Sequence, residues 1–511
     1  MSQAPEVIGV VGAGTMGAGI AQLAAATGAR TLLHDPVPDA LAGGVQRVGD
    51  GLDRWREKGR LEREPGPVEA VAEIEGLAPA GLIVEAAPER LELKRELFAA
   101  LSGAAPRAVL ASNTSSIPIT AIAGAAADPS RVVGMHFFNP APVMRLVEVV
   151  AALQSSPEAL EVARATARAM GKRAIDAADV TGFLVNRCNR PFGLEALKLL
   201  QERIGDVGTI DAIVRGAGFR MGPFELQDLV GIDVGYEIAL SFHEQSFGEP
   251  RWRPSPLSTR MVAAGRHGRK TGHGWYAYPR EREPDPDPLP TGGGAGRLVA
   301  IAGAIPLADE LRALAAQAGF DARDQDDADG EVPWLAVDCG ADPGGPPLQG
   351  GPLAMLCADG SLHALDTGGS AVGFHALPPL DATTLVELTR APGSAPLAVD
   401  RAEAFFAALG KRTTWVADAP GLVLGRIVCQ LVNEACFAVG EGVGSAGDVD
   451  DGMVLGLNHP RGPMEWGDEI GAEQVLVLLT APQEEYREER YRPAPHLLRT
   501  ARSGVPLRAD A

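Results

Sequence analysis

At 511 residues the chain can hold about three domains and several buried cores, and 46% apolar with 22% charged residues is an ordinary globular composition. Lys+Arg 46 against Asp+Glu 66 leave a formal charge of −20, which repels phosphate backbones and anionic lipid, and 5% aromatics give little base-stacking surface, so neither nucleic acid nor membrane is an expected partner. The five cysteines (Cys188, Cys339, Cys357, Cys429, Cys436) form no Cys-x-x-Cys pair and no disulfide framework, so a reducing cytoplasm is the expected setting and no metal site is read.

In chain order, the uncharged stretch 7–29 contains six glycines and follows no Lys or Arg, which suits neither a membrane span nor a signal peptide. It divides instead into a short β-rich strand at 7–11, a helix of small residues at 18–26 and a second strand at 31–33, a βαβ unit. Further strands are expected at 81–84, 108–111 and 132–136, with a helix at 91–101, which together predict a mainly parallel sheet covered on both faces. From Pro157 onward helices dominate, including a long one at 183–203 that Pro191 should kink. Residues 281–297, with Pro284, Pro286, Pro288 and Pro290, read as a linker.

Beyond the linker the sequence partly repeats itself. Met170-Gly-Lys-Arg173 recurs as Leu409-Gly-Lys-Arg412 and Leu146-Val-Glu148 as Leu385-Val-Glu387, both at a shift of 239 residues, and Gly222-Pro-Phe-Glu225 recurs as Gly462-Pro-Met-Glu465. The expected fold is therefore an α/β Rossmann-type domain (1–182), an all-α domain (183–280), the linker (281–297), and a shortened, degenerate second copy of both (298–420 and 421–511).

Gly12-x-Gly14-x-x-Gly17, with Thr15 and Met16 inside it, sits at the first strand-to-helix turn, where glycines allow a tight turn and bring backbone N–H groups close to a pyrophosphate. Asp35 ends the second strand, where its carboxylate can accept the ribose hydroxyls and would repel a 2′-phosphate, so NAD is the expected cofactor. His136 ends a later strand and Glu148 lies on the returning segment, which can place the carboxylate behind the imidazole as a general base needs. A buried histidine with an unrelated glutamate reads the same residues equally well. Ser115 falls in a loop at the same sheet edge, and Asn186, in an apolar run, needs a buried partner such as a substrate carbonyl; capping or core packing are the plainer roles.

The segments Ser112-Asn-Thr-Ser-Ser116, His136-Phe-Phe-Asn-Pro-Ala-Pro142, Val185-Asn186-Arg187, Gly222-Pro-Phe-Glu-Leu226 and Lys270-Thr-Gly272, with the glycine fingerprint, resemble the 3-hydroxyacyl-CoA dehydrogenase family in order over residues 5–280. The resemblance implies oxidation of an (S)-3-hydroxyacyl-CoA to the 3-oxo thioester with His136 as base, Glu148 as its partner, and Ser115 and Asn186 on the substrate oxygens. It also implies that Glu89, Lys94, Asn139 and Lys270 contact NAD or its surroundings, with Lys94 and Lys58 near the CoA phosphates. The long form with a second copy resembles bacterial members acting on 3-hydroxyadipyl-CoA, in phenylacetate breakdown, or on 3-hydroxybutyryl-CoA. A dehydrogenase of a free hydroxy acid and a non-catalytic NAD or acyl-CoA sensor are the competing readings.

Projected by 239 residues, His136 and Glu148 fall on His375 and Glu387, but Asn186 falls on Gly425, Asn139 on Pro378 and Ser115 on Ala354. Gly303-Ala-Ile305-Pro306 replaces the glycine turn and removes a backbone donor, so one NAD site per chain is expected. The resemblance implies a helical domain that commonly dimerises, so a homodimer or a pseudo-dimer within one chain is one expectation, and a retained duplicate that contributes only stability is the equal alternative.

Overall fold

The protein is described by a computed structural model over residues 3–282, 285, 287–328, 330–340 and 351–509. Among these residues no helix is long and apolar enough to cross a membrane. Two compact units result, one of residues 1–187 with 441–457 and one of 188–440 with 458–511.

The first unit is built on an eight-stranded sheet: β1 (Val7–Val11), β2 (Arg30–His34), β3 (Val68–Val71), β4 (Leu82–Glu85), β5 (Val109–Ser112), β6 (Val132–Phe137), β7 (Leu146–Ala151) and β8 (Arg173–Ala178), in the order β3-β2-β1-β4-β5-β6-β7-β8. Neighbours from β3 to β6 are parallel, β7 runs antiparallel to β6, and β8 is parallel to β7. Strands this deep in an α/β sheet are buried on both faces, and β4, β5 and β6 are buried at every position. The helix Thr15–Ala26 is made largely of Gly and Ala, which lets it approach the sheet closely: a Cβ on Gly19 would lie 2.9 Å from Pro142.

The strands β3 and β8 and the helix Pro38–Glu57 were not expected from the sequence. Arg173-Ala-Ile-Asp-Ala-Ala178 alternates exposed with buried residues along β8, an edge-strand pattern too short to stand out in a helix-rich stretch. The long helix expected at 183–203 is two helices, Val185–Cys188 and Arg190–Gln201. Pro191 does not kink the second but stands in its first turn, where a missing N–H costs nothing.

In the second unit β9 (Leu298–Ala302), β10 (Asp321–Asp324), β11 (Leu335–Asp338), β12 (Leu353–Leu356), β13 (Val372–His375), β14 (Leu385–Arg390) and β15 (Arg412–Trp415) form a seven-stranded sheet in the order β10-β9-β11-β12-β13-β14-β15. The order is that of the first sheet with the outermost strand β3 left out, and β13 and β14 are again the antiparallel pair. The expected linker is docked on this unit where it is described: Leu289 N–H donates to Gly410 O at 3.2 Å and Gly292 N–H to Ala408 O at 2.9 Å. Residues 283, 284 and 286 of that stretch lie outside the described residues. The helix Ala446–Leu457, inside the expected second helical segment (421–511), packs on β7 and β8 and groups with residues 1–187.

Candidate active site

Gly12 follows β1 with φ 94°, a left-handed conformation, and a Cβ there would lie 2.6 Å from Ala86 O. A Cβ on Gly17 would lie 1.7 Å from Gly12 O, so both glycines are demanded by the turn itself. Gly14 differs: its Cβ would meet nothing within 4 Å, and it caps the helix Thr15–Ala26 without any side-chain hydrogen bond. The helix N-terminus is therefore unobstructed on the side where a Gly14 side chain would stand, and an anion binds at such an end. Asp35 closes the site from β2, accepting Ala13 N–H on Oδ2 at 2.8 Å and Val37 N–H on Oδ1 at 3.0 Å. These residues fit the phosphates and ribose of a dinucleotide.

His136 and Glu148 stand directly opposite each other across β6 and β7. Nδ1 of His136 is 2.6 Å from Oε2 of Glu148, and both residues are buried. Oε1 of the same carboxylate accepts the N–H groups of Leu184 at 3.0 Å and Val185 at 2.9 Å. Gly182 and Phe183, at φ 75° and 49°, turn the chain sharply enough to deliver those two amides. With Nδ1–H donated to the carboxylate, Nε2 carries the lone pair and is the nitrogen left to accept a proton. Asn186, the next residue, is on the short helix that starts at Val185; it is half-buried, not deeply buried as its apolar neighbours suggested.

Ser115 lies in the loop after β5, which pairs in parallel with β6, so the loop and His136 share one edge of the sheet. Oε1 of Glu89 organises that loop, accepting Thr114 Oγ1 at 2.6 Å, Ser115 N–H at 3.0 Å and Ser116 Oγ at 2.9 Å. Burial works against this carboxylate's charge, but the Thr114 hydroxyl, the Lys94 ammonium and the Ser115 amide hold it below the usual glutamate range. Lys94 is only 1% exposed, donating to Glu85 Oε1 at 2.7 Å and lying 3.4 Å from Glu89 Oε2, so it presents no charge to CoA phosphates. That expectation is corrected: the charged heads of Glu85 and Glu89 draw the lysine inward. Sequence reading passed over Glu85, which also accepts Ser112 Oγ at 2.6 Å, and Asn113, whose Oδ1 takes Phe137 N–H at 2.9 Å and clips β5 to β6.

Asn139 is exposed after β6. Lys58 is exposed at the C-terminal cap of the helix Pro38–Glu57. Lys270 belongs to the second unit, where its Nζ lies 2.7 Å from Asp233 Oδ2.

The second sheet places His375 opposite Glu387 in the same register. Their chemistry differs. Glu387 spends one oxygen on each amide, Val423 N–H at 2.7 Å and Leu424 N–H at 2.8 Å, and Nδ1 of His375 is buried without a partner. A Cβ on Gly425, which stands where Asn186 does in the sequence repeat, would lie 2.4 Å from Cε1 of His375, so the ring packs directly against this glycine. Burial lowers the His375 pKa to about 3 and raises that of Glu387 to about 8. One projection is corrected: Ala354 pairs with Val372 as Ala111 pairs with Val133, so Ser115 corresponds to Ala358, and no hydroxyl stands there either.

The sequence profile of the 3-hydroxyacyl-CoA dehydrogenase NAD binding domain matches residues 7–180, and that of the C-terminal domain matches twice, at 182–278 and 421–509. The chain is 35% identical over 495 residues, 96% of each chain, to a 3-hydroxyadipyl-CoA dehydrogenase of Escherichia coli K12. It is 39% identical over 282 residues to the human mitochondrial hydroxyacyl-coenzyme A dehydrogenase, covering 53% of this chain and 90% of the other. A crystal structure of 3-hydroxybutyryl-CoA dehydrogenase from E. coli K12 superimposes with a TM-score of 0.82 at 34% identity, over 99% of this chain and 100% of the other.

The two kinds of glycine in the turn separate by experiment. Gly14→Ala should keep the melting temperature and weaken NAD about tenfold, whereas Gly17→Ala should lower the melting temperature by several degrees, roughly what a strained substitution of 1–3 kcal/mol produces. Equal effects on melting and binding in both variants would contradict the reading. His375 gives a pH prediction. Its depressed pKa means that the stability it contributes is present above about pH 6.5, where the unfolded chain is also neutral, and is lost as pH falls towards 3. Urea titrations of His375→Phe should therefore show a shallower fall in stability over that window; an unchanged slope would exclude the buried neutral histidine.

Proposed function

Because the chain belongs to the 3-hydroxyacyl-CoA dehydrogenase family and catalyses the NAD-dependent oxidation of a 3-hydroxyacyl-CoA, we propose that His136 is the base of that reaction. The observation that carries the proposal is the 2.6 Å contact of Nδ1 with a carboxylate whose other oxygen is already saturated by two backbone amides. Nε2 takes the hydroxyl proton of the (S)-3-hydroxy thioester, and Glu148 stabilises the imidazolium that forms. Ser115 Oγ and Asn186 hold the reacting oxygen and the thioester carbonyl, fixing the C3–H bond in the direction of transfer. NAD, bound by the Gly12–Gly17 turn and Asp35, supplies the hydride acceptor.

The acyl chain is short, 3-hydroxyadipyl or 3-hydroxybutyryl, as in the relatives that match along the whole length. The enzyme works in the cytoplasm, where five buried cysteines, none of them in a disulfide, are at home. The second half is a shortened, degenerate copy of the first, a reading supported by the repeated strand order and by the two matches of the C-terminal profile. It holds no second NAD. Ile305 caps its first helix where Gly14 caps the other, with Pro306 in the first turn, so a side chain and a missing N–H occupy the place of the phosphate.

His136→Asn should lower kcat by about 10² to 10⁴ while the Kd for NAD changes less than about twofold, read by NADH absorbance with 3-hydroxybutyryl-CoA and 3-hydroxyadipyl-CoA and by calorimetry. A wild-type kcat would remove the base from His136, and titration to two NAD per chain would overturn the single site.

A further inference from the structure

The helix Ala446–Leu457 comes from the half of the chain without a working base pair, yet it lies on β7 and β8 of the half that has one. Its contacts are with the residues that hold the base. A Cβ on Gly456 would lie 2.8 Å from Leu146 Cδ2 and 3.4 Å from the ring of Phe138, and the Phe138 and His136 rings are 4.6 Å apart. A Cβ on Gly452 would lie 2.7 Å from Val185, and one on Gly444 2.6 Å from Leu184, the two residues whose amides hold Glu148. Just before the helix, Val443 O accepts Ala178 N–H at 2.8 Å, and Glu441 Oε2 accepts Arg187 Nη2 at 2.8 Å, one residue past Asn186.

The same contacts recur with the halves exchanged. Ala417 N–H donates to Ile204 O at 2.8 Å, Arg426 Nη1 to Glu202 Oε2 at 2.6 Å, and a Cβ on Gly216 would lie 2.7 Å from Leu385. Ala178, Arg187, Ile204 and Glu202 correspond to Ala417, Arg426, Val443 and Glu441 at the 239-residue shift of the sequence. Each half thus supplies a helix to the other's antiparallel strand pair. Only one of these braces stands behind a complete His–Glu pair.

We propose that Gly452 and Gly456 are positioning residues for the catalytic base, so that the second half completes the active site of the first. This rests on His136 and Glu148 being the base pair. The glycines let the helix seat against Phe138, Leu146 and Val185 closely enough to fix the imidazole and the amides on Glu148. Loss of that wall would let the ring and carboxylate drift, lowering the basicity of Nε2.

The exchanged contact provides the control. Gly456→Val and Gly216→Val insert the same side chain at equivalent places, one behind His136 and one behind His375. In the full-length chain, Gly456→Val should lower kcat about tenfold and move the acid limb of the kcat profile to lower pH, with KM for acyl-CoA and Kd for NAD within about twofold of wild type. Gly216→Val should leave kcat and its pH profile within about twofold, whatever it does to the melting temperature. If Gly456→Val does not yield folded protein, Glu441→Gln, which only loosens Arg187, is read in the same way. Equal kcat and pH profiles in the two variants, or a wild-type profile in Glu441→Gln, would overturn the proposal. A wild-type kcat in His136→Asn would instead show that the base assignment itself is wrong, a separate failure.

Discussion

The carboxylate of Glu148 is the point on which the site turns. A buried charge is tolerated only when its lone pairs are filled, and here one oxygen holds the imidazole while the other gathers two amides from the start of the next helix. One side chain therefore orients the imidazole of His136 and anchors the turn at Gly182 and Phe183, from which the helix carrying Asn186 starts. The β6–β7 register makes this unavoidable, since cross-strand partners must face the same side of the sheet.

In the other half a His–Glu pair in the same register divides its hydrogen bonds differently. His375 and Glu387 keep the register, yet the amides of Val423 and Leu424 take one oxygen each and the imidazole receives none. An uncharged ring packed against a glycine is then a core residue like any other. Identity at two positions in a motif is thus weaker evidence of chemistry than the division of hydrogen bonds between two oxygens.

Much of this was legible in the sequence. The glycine turn, Asp35 and the His136–Glu148 pair could be read because each depends on local geometry: a turn that excludes side chains, a strand end, an antiparallel return. Lys94 was misplaced, since nothing in the spacing reveals that Glu85 and Glu89 converge to neutralise it. Asn113 and Glu85 went unnoticed because their partners, Phe137 and Ser112, lie on other strands. The edge strand β8 was missed for a related reason: its six residues alternate too briefly to be told from the amphipathic helix before it. The exchange of helices between halves could not be read at all, as it pairs residues from roughly 170 to 310 positions apart.

That separation has a consequence for synthesis on the ribosome. Residues 1–187 carry every strand of the first sheet, but the helix that covers β7 and β8 emerges roughly 250 residues later. At about 5–20 residues per second, the apolar strip formed by Phe138, Leu146 and Val185 waits some ~13–50 s for its cover. The nascent chain must keep that strip from other partners throughout, and a chain truncated before residue 457 lacks its own cover for it.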